Sequence, residues 1–149
     1  MVCIDRVGYQ VAGKQVAVTA FDDISGVCKS RFHQSFKDDL FHLLMVVNET
    51  NKPIAYCSYW TDIVASPRNF DQHVYFYQIH YVYVRPDYRG QKIASIMAKC
   101  FVCHALNELR SEPNVSAFCD KSLYTSDEGI AFGKKIQRLL SDTKRLRFV

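Results

Sequence analysis

Hydrophobic and polar residues change their period several times along the chain, and each change predicts an element. Residues 2–10 and 15–21 alternate and are separated by "VAGK", where Gly13 suits a tight turn, so the chain begins with a predicted hairpin. Over 22–40, Ile24, Cys28, Phe32, Phe36 and Leu40 recur every four residues, which predicts a helix. Asp22 and Asp23 suit its positive N-terminal end, and Gly26 weakens its first turn. The apolar run 41–49, the turn "TNKP" and the β-branched and aromatic run 54–64 read as two strands with a short connection. A polar loop, "ASPRNFDQ", precedes the strongest strand pattern of the chain, "VYFYQIHYVYV" at 74–84. A helix is predicted from 91 to 110, ended by "SEPN" because proline cannot continue it. A short strand at 115–119 follows, then a helix over 127–141 capped by Ser126 or Asp127, and "KRLRFV" gives one short strand at most.

The order is ββαβββαβα with room for one more strand. It predicts an α/β or α+β chain with a central mixed, mostly antiparallel sheet flanked by helices. A length of 149 residues suits one domain over 1–149 with a proper core. An apolar content of 48% and a net charge of +4 leave the class at an ordinary globular protein and require no acidic partner. "MVCIDRVGYQ" places Asp5 and Arg6 where a leader would be apolar, and "LLMVV" falls far short of the roughly 20 residues a membrane helix needs. The expectation is a soluble cytoplasmic protein without a membrane partner, so its six cysteines are expected as free, packed thiols. "CFVCH" at 100–104 matches a haem-attachment pattern, but that chemistry requires export; Cys100 with Cys103, or Cys100 with His104, shares a helix face, yet no second close pair completes a zinc site. No metal is expected.

The chemistry concentrates in "YVRPDYRGQKIASIMAKCF", residues 83–101. A strand ends at a proline, a turn carries Arg89, Gly90, Gln91 and Lys92, and a helix starts at once. The free first-turn amides of such a helix converge on an anion, Gly90 permits close approach of the backbone, and Arg89 and Lys92 add positive charge. The stretch 82–95, "VYVRPDYRGQKIAS", resembles the acetyl-CoA signature of the GNAT superfamily of N-acetyltransferases. Val84, Pro86, Tyr88 and Arg89 follow its first half, one residue out of the strictest spacing, and Arg89, Ile93 and Ala94 match its second half. Lys92 stands where the family usually has its middle glycine. An ordinary helical conformation at Lys92 would cost little, whereas φ > 0 would weaken cofactor binding.

The resemblance implies acetyl-CoA as co-substrate and a primary amine, small molecule or protein, as acceptor. It implies that Val82, Tyr83 and Val84 bind the pantetheine arm through their backbone, with the Val84 amide aimed at the thioester carbonyl. It assigns Arg89, Gly90, Gln91, Lys92, Ile93, Ala94 and Ser95 to the pyrophosphate. Counting by twos from Val84 places Val82, His80, Gln78 and Phe76 on one face of the strand and the tyrosines on the other. Some members of the family carry a glutamate near the position of Gln78 or a histidine at that of His80. His80 suits a general base and Gln78 an orienting group. The family's last helix usually carries a tyrosine that reprotonates the CoA thiolate; here "SDEGIAFGKKIQ" holds none, and Tyr124, just before that helix, is the substitute.

Two other functions fit parts of the pattern. A GNAT-like protein that binds acyl-CoA without transferring it is consistent with Lys92 and the missing tyrosine. An RNA-binding module would use Tyr75, Tyr77, Tyr81 and Tyr83 to stack bases, with the basic C-terminal helix beside them; it is the less favoured reading, because a tyrosine face and a basic helix are more often core and solvated surface. GNAT folds close with two strands after the last helix, and "SDTKRLRFV" supplies one. The acceptor groove is therefore expected to be open there or filled by a homodimer pairing Leu146, Phe148 and Val149. The segments 22–40 and 65–73 and the region near the C-terminus are expected to select the acceptor.

Overall fold

In the computed structural model the described residues are 2–5, 10–11, 14–15, 42–50, 53–144 and 146–149. The first strands are β1 (Val2–Asp5), β2 (Gln10–Val11) and β3 (Lys14–Gln15). Gln10 pairs with Gln15 and Val11 with Lys14, so β2 and β3 form an antiparallel pair, while the turn expected at Gly13 lies outside the described residues. The first strand does not belong to that hairpin, however. β1 pairs antiparallel with β4 (His42–Val47), from Val2 opposite Val47 to Asp5 opposite Leu44. Alternation reports that a strand forms and is silent about which partner it chooses. The helix expected over 22–40, and 16–21 of the strand expected before it, lie outside the described residues.

The remaining elements are β5 (Pro53–Ala65), β6 (His73–Val84), a 3₁₀ turn (Pro86–Tyr88), α1 (Ile93–Leu109), β7 (Val115–Asp120), α2 (Asp127–Thr143) and β8 (Arg147–Phe148). All lie within a few residues of their predicted bounds. Ser126 is the α2 cap, its Oγ accepting from Gly129 N–H at 3.1 Å.

The chain gathers into two units, Met1–Tyr59 with Tyr81–Met97, and Trp60–His80 with Ala98–Val149. In the first, the strands are ordered β1-β4-β5-β6. β4 and β5 are antiparallel, and Leu44–Val47 and Ile54–Tyr59 are buried throughout. Such unbroken apolar runs belong to strands covered on both faces. Tyr56 stacks on Tyr81 at 5.8 Å and also meets Tyr83 at 6.0 Å. Burial pushes the Cys57 thiol well above its ordinary range, so it is an inert core residue.

In the second unit the order is β5-β6-β7-β8, with β6/β7 and β7/β8 parallel. Tyr75 meets Phe118 edge-on at 6.1 Å, and Tyr77 packs on Phe101 of α1 at 5.2 Å. Tyr75 and Tyr77 have no exposed surface and Tyr83 keeps 9%, while Tyr81 is half-buried, so three of the four tyrosines suggested for stacking bases build core instead. Cys119 is buried as expected, but Cys103 is exposed, because α1 turns it away from the apolar side. Phe148 packs on Phe118 of its own chain at 5.3 Å, although the sequence suggested it for an intersubunit contact; Val149 is exposed. Among the described residues no helix is long and apolar enough to cross a membrane.

Candidate functional site

The first unit carries the strand–turn–helix. Up to Ile79, the odd-numbered residues of β6 aim their backbone groups at β7. His73 N–H donates to Asn114 O (2.9 Å), Lys121 N–H to Tyr77 O (2.8 Å) and Ile79 N–H to Ser122 Oγ (2.8 Å). Arg85, also odd-numbered, instead donates its N–H to Ile54 O at 2.8 Å, toward β5. Backbone groups alternate strictly along a regular strand, so the reversal requires an irregular residue between Ile79 and Arg85. The same irregularity means that counting by twos from Val84 back to Gln78 does not by itself fix a common face.

The turn is held by backbone and side-chain bonds. Tyr88 N–H donates to Arg85 O (2.9 Å), and the buried Arg85 side chain donates from Nε to Pro53 O (2.9 Å). Arg89 donates from Nε to Val84 O at 3.1 Å, which leaves its terminal nitrogens for another acceptor. Gly90 has φ 80° and Lys92 φ 59°, so both are left-handed. Lys92 therefore adopts the conformation that the family's glycine would supply, the costlier of the two alternatives. Its carbonyl accepts the first helical bond, from Ile96 N–H at 3.2 Å. The amides of Ile93, Ala94 and Ser95 thus have no partner within the helix, and its first turn carries no acidic side chain. Gly90, Gln91, Lys92 and Ala94 are exposed, while Ile93 is buried and anchors the turn.

Left-handed backbone costs a non-glycine residue about 1–2 kcal/mol, and glycine gives back roughly 0.5–1 kcal/mol of that in chain entropy. Lys92→Gly is expected to raise the melting temperature by about 1–4 °C, given about 2–4 °C per kcal/mol in a chain of this size. Lys92→Ala keeps the Cβ and is expected to give no rise. Thermal denaturation of the two variants checks this, and a lower midpoint in Lys92→Gly contradicts the strain.

In the second unit the β6/β7 register runs from His73 opposite Val115 to Tyr77 opposite Asp120 and ends there. Asp120 gathers the residues around this end. Its Oδ1 accepts from Ser122 N–H (2.8 Å), and its Oδ2 accepts from Tyr124 O–H (2.9 Å) and Gln137 Nε2 (3.2 Å). Burial, reinforced by the charge of Asp120, pushes the Tyr77 phenol far above its ordinary range. Tyr124 lies across α2 at Gly133, where an added Cβ would sit 2.3 Å from Cζ and 2.6 Å from the phenolic oxygen. Gly133 makes room for the ring. Gly133→Ala gains about 1 kcal/mol of helix propensity but displaces the phenol from Asp120, a bond to a charged acceptor worth roughly 1.5–3 kcal/mol. The net expectation is a protein less stable by about 1 kcal/mol, read as a lower urea midpoint.

A family model described as the acetyltransferase (GNAT) family matches residues 16–122, well over half of the chain. The chain belongs to this family. Solved structures agree at the level of fold. A single-residue variant of the BH1408 protein from Bacillus halodurans is 18% identical, with 92% of each chain covered and a TM-score of 0.56. The ribosomal-protein-alanine N-acetyltransferase from Brucella melitensis biovar Abortus 2308 is 11% identical, with 91% of each chain covered and a TM-score of 0.51. No curated protein matches the chain.

Within this GNAT domain, the cofactor candidates Val82, Tyr83, Val84, Arg89, Gly90, Gln91, Lys92, Ile93, Ala94 and Ser95 fall in two short runs, 82–84 and 89–95, both in the first unit. The catalytic candidates Gln78, His80 and Tyr124 belong to the second. Gln78 and His80 are half-buried, and His80 Nε2 is out of solvent. The sequence reading missed Asp120, Ser122 and Gly133. "DKS" after an apolar strand is a signal for a turn closed by its aspartate, whereas nothing local announces that Gly133 accommodates a ring from nine residues upstream.

Proposed function

We propose that this protein is an acetyl-CoA-dependent N-acetyltransferase that transfers the acetyl group directly to a primary amine. The observation that carries the reading is the backbone of 84–95. Strand β6 ends in a turn with left-handed Gly90 and Lys92, and the turn leads into a helix whose first amides have no acceptor within it. These groups fit a pyrophosphate on a pantetheine arm, and Arg89 and Lys92 suit its charge.

Acetyl-CoA supplies an activated carbonyl for attack by an amine. The Val84 amide is assigned to the charge developing on that carbonyl oxygen. His80 is assigned to accept the proton that the attacking ammonium must lose, and Gln78 to orient the acceptor or a water. Tyr124 is assigned to return a proton to the departing sulfur, for which its hydroxyl must turn from Asp120. The acceptor is a small amine or a protein amine, and the protein is placed in the cytoplasm. A homodimer is part of this reading, with sedimentation as its check, although Phe148 already packs on Phe118 of its own chain.

The test has two arms. Calorimetry with CoA reads binding, and release of free thiol from acetyl-CoA across a panel of amines and lysine peptides reads transfer. Binding with turnover supports the reading. Binding without turnover on any amine assigns the protein instead to the non-catalytic acyl-CoA binders, and the absence of binding rejects both.

A further inference from the structure

Left-handed Lys92 makes the turn between β6 and α1 costly to hold, so what braces it matters. One brace comes from outside the motif, within the same unit. Asn48, just after β4, donates from Nδ2 to the Tyr88 hydroxyl at 3.2 Å. The orientation of this amide is set by its other end. Asn48 Oδ1 accepts from Thr50 N–H (3.0 Å) and from Thr50 Oγ1 (2.8 Å). A backbone N–H can only donate, so the oxygen must face Thr50 and the nitrogen must face Tyr88. Tyr88 closes the 3₁₀ turn through its own N–H to Arg85 O, and Arg89 follows it directly. The β4–β5 turn thereby holds the phenol at the base of the loop.

We propose that Asn48 is a positioning residue for the acetyl-CoA loop: through Tyr88 it fixes the turn that presents Arg89, Lys92 and the α1 amides, and so sets cofactor affinity without touching the cofactor. The inference rests on the acetyl-CoA reading. Asn48 orients the phenol and leaves its hydroxyl proton able to donate elsewhere, so the loop is held ready before the ligand arrives. Preorganisation of this kind reduces the ordering cost that binding otherwise carries.

The test is a double-mutant cycle on CoA dissociation constants in the full chain, with Asn48→Ala, Tyr88→Phe and the pair together. Each single variant is expected to weaken CoA binding about 3–10-fold, the range of a net hydrogen bond, and the pair no more than the weaker-binding single variant. Asn48→Asp keeps its oxygen on Thr50 and can accept the Tyr88 proton, so it is expected to stay within about threefold of the parent. Hydrogen exchange of the 88–95 amides in the absence of ligand is expected to quicken in Asn48→Ala and not in Asn48→Asp. Fully additive losses, or binding in both single variants equal to the parent, overturn the role of Asn48 while leaving the acetyl-CoA site intact. A parent protein that binds no CoA removes the acetyl-CoA reading and this role with it.

Discussion

His80→Ala is expected to lower turnover by about 10²–10⁴-fold, the usual contribution of a general base, and to leave CoA affinity where it was. The two expectations separate because the proposed cofactor groups are backbone amides and cationic side chains of 82–95, whereas a base acts on the acceptor. An amine is protonated at neutral pH and cannot attack until its proton has left. If His80 takes that proton, the parent shows a rate limb that rises with pH, and this limb disappears in the variant. His80 is half-buried with Nε2 out of solvent, so some loss of stability is also expected in the alanine variant. Added imidazole distinguishes the two effects, since it can restore proton transfer in a cavity but not a lost fold. A folded His80→Ala protein with an unaltered pH–rate profile removes His80 from the mechanism and leaves water as the proton acceptor.

The elements were legible where periodicity was strong and local. Strands β5, β6 and β7 and both described helices fall close to their predicted bounds because each carries its own burial pattern. The partner of β1 was not legible, since Val2–Asp5 alternates equally well against any strand. The turn between β6 and α1 was legible in place, because Arg89 and Gly90 interrupt the apolar pattern that Ile93 resumes, although the helix starts two residues later than predicted. The sign of φ at Lys92 was not, as lysine has no preference for φ > 0 and only the context imposes it. The irregularity in β6 left no mark either. It shows in the direction of the Ile79 and Arg85 amides, and the alternation of tyrosines runs through it unchanged. Gly133 and Asn48 share a reason for being missed: each acts on a residue elsewhere in the chain, Tyr124 for the first and Tyr88 for the second, and pairing at a distance has no period, whereas Asp120 had a local signal in "DKS".

Ala94→Glu is expected to weaken CoA binding by at least about tenfold, equivalent to roughly 1.4 kcal/mol, while leaving the protein as stable as before or slightly more so. The opposite signs come from one feature. Ala94 is exposed in the first turn of α1, where the amides of Ile93, Ala94 and Ser95 lack helical acceptors and the turn has no acidic side chain. A carboxylate at that position meets the positive end of the helix and can cap its free amides, worth about 0.3–1 kcal/mol to the fold. In doing so it occupies the groups the pyrophosphate needs and sets a like charge against it. Ala94→Gln adds nearly the same volume without the charge, so it is expected to lose much less affinity. The gap between the two variants is expected to narrow as salt is raised, because the loop is open to solvent and the repulsion is screened. Calorimetry at two ionic strengths, with a thermal melt of each variant, reads all of these. A folded Ala94→Glu protein that binds CoA as tightly as its parent places the phosphates elsewhere and ends the assignment of 89–95.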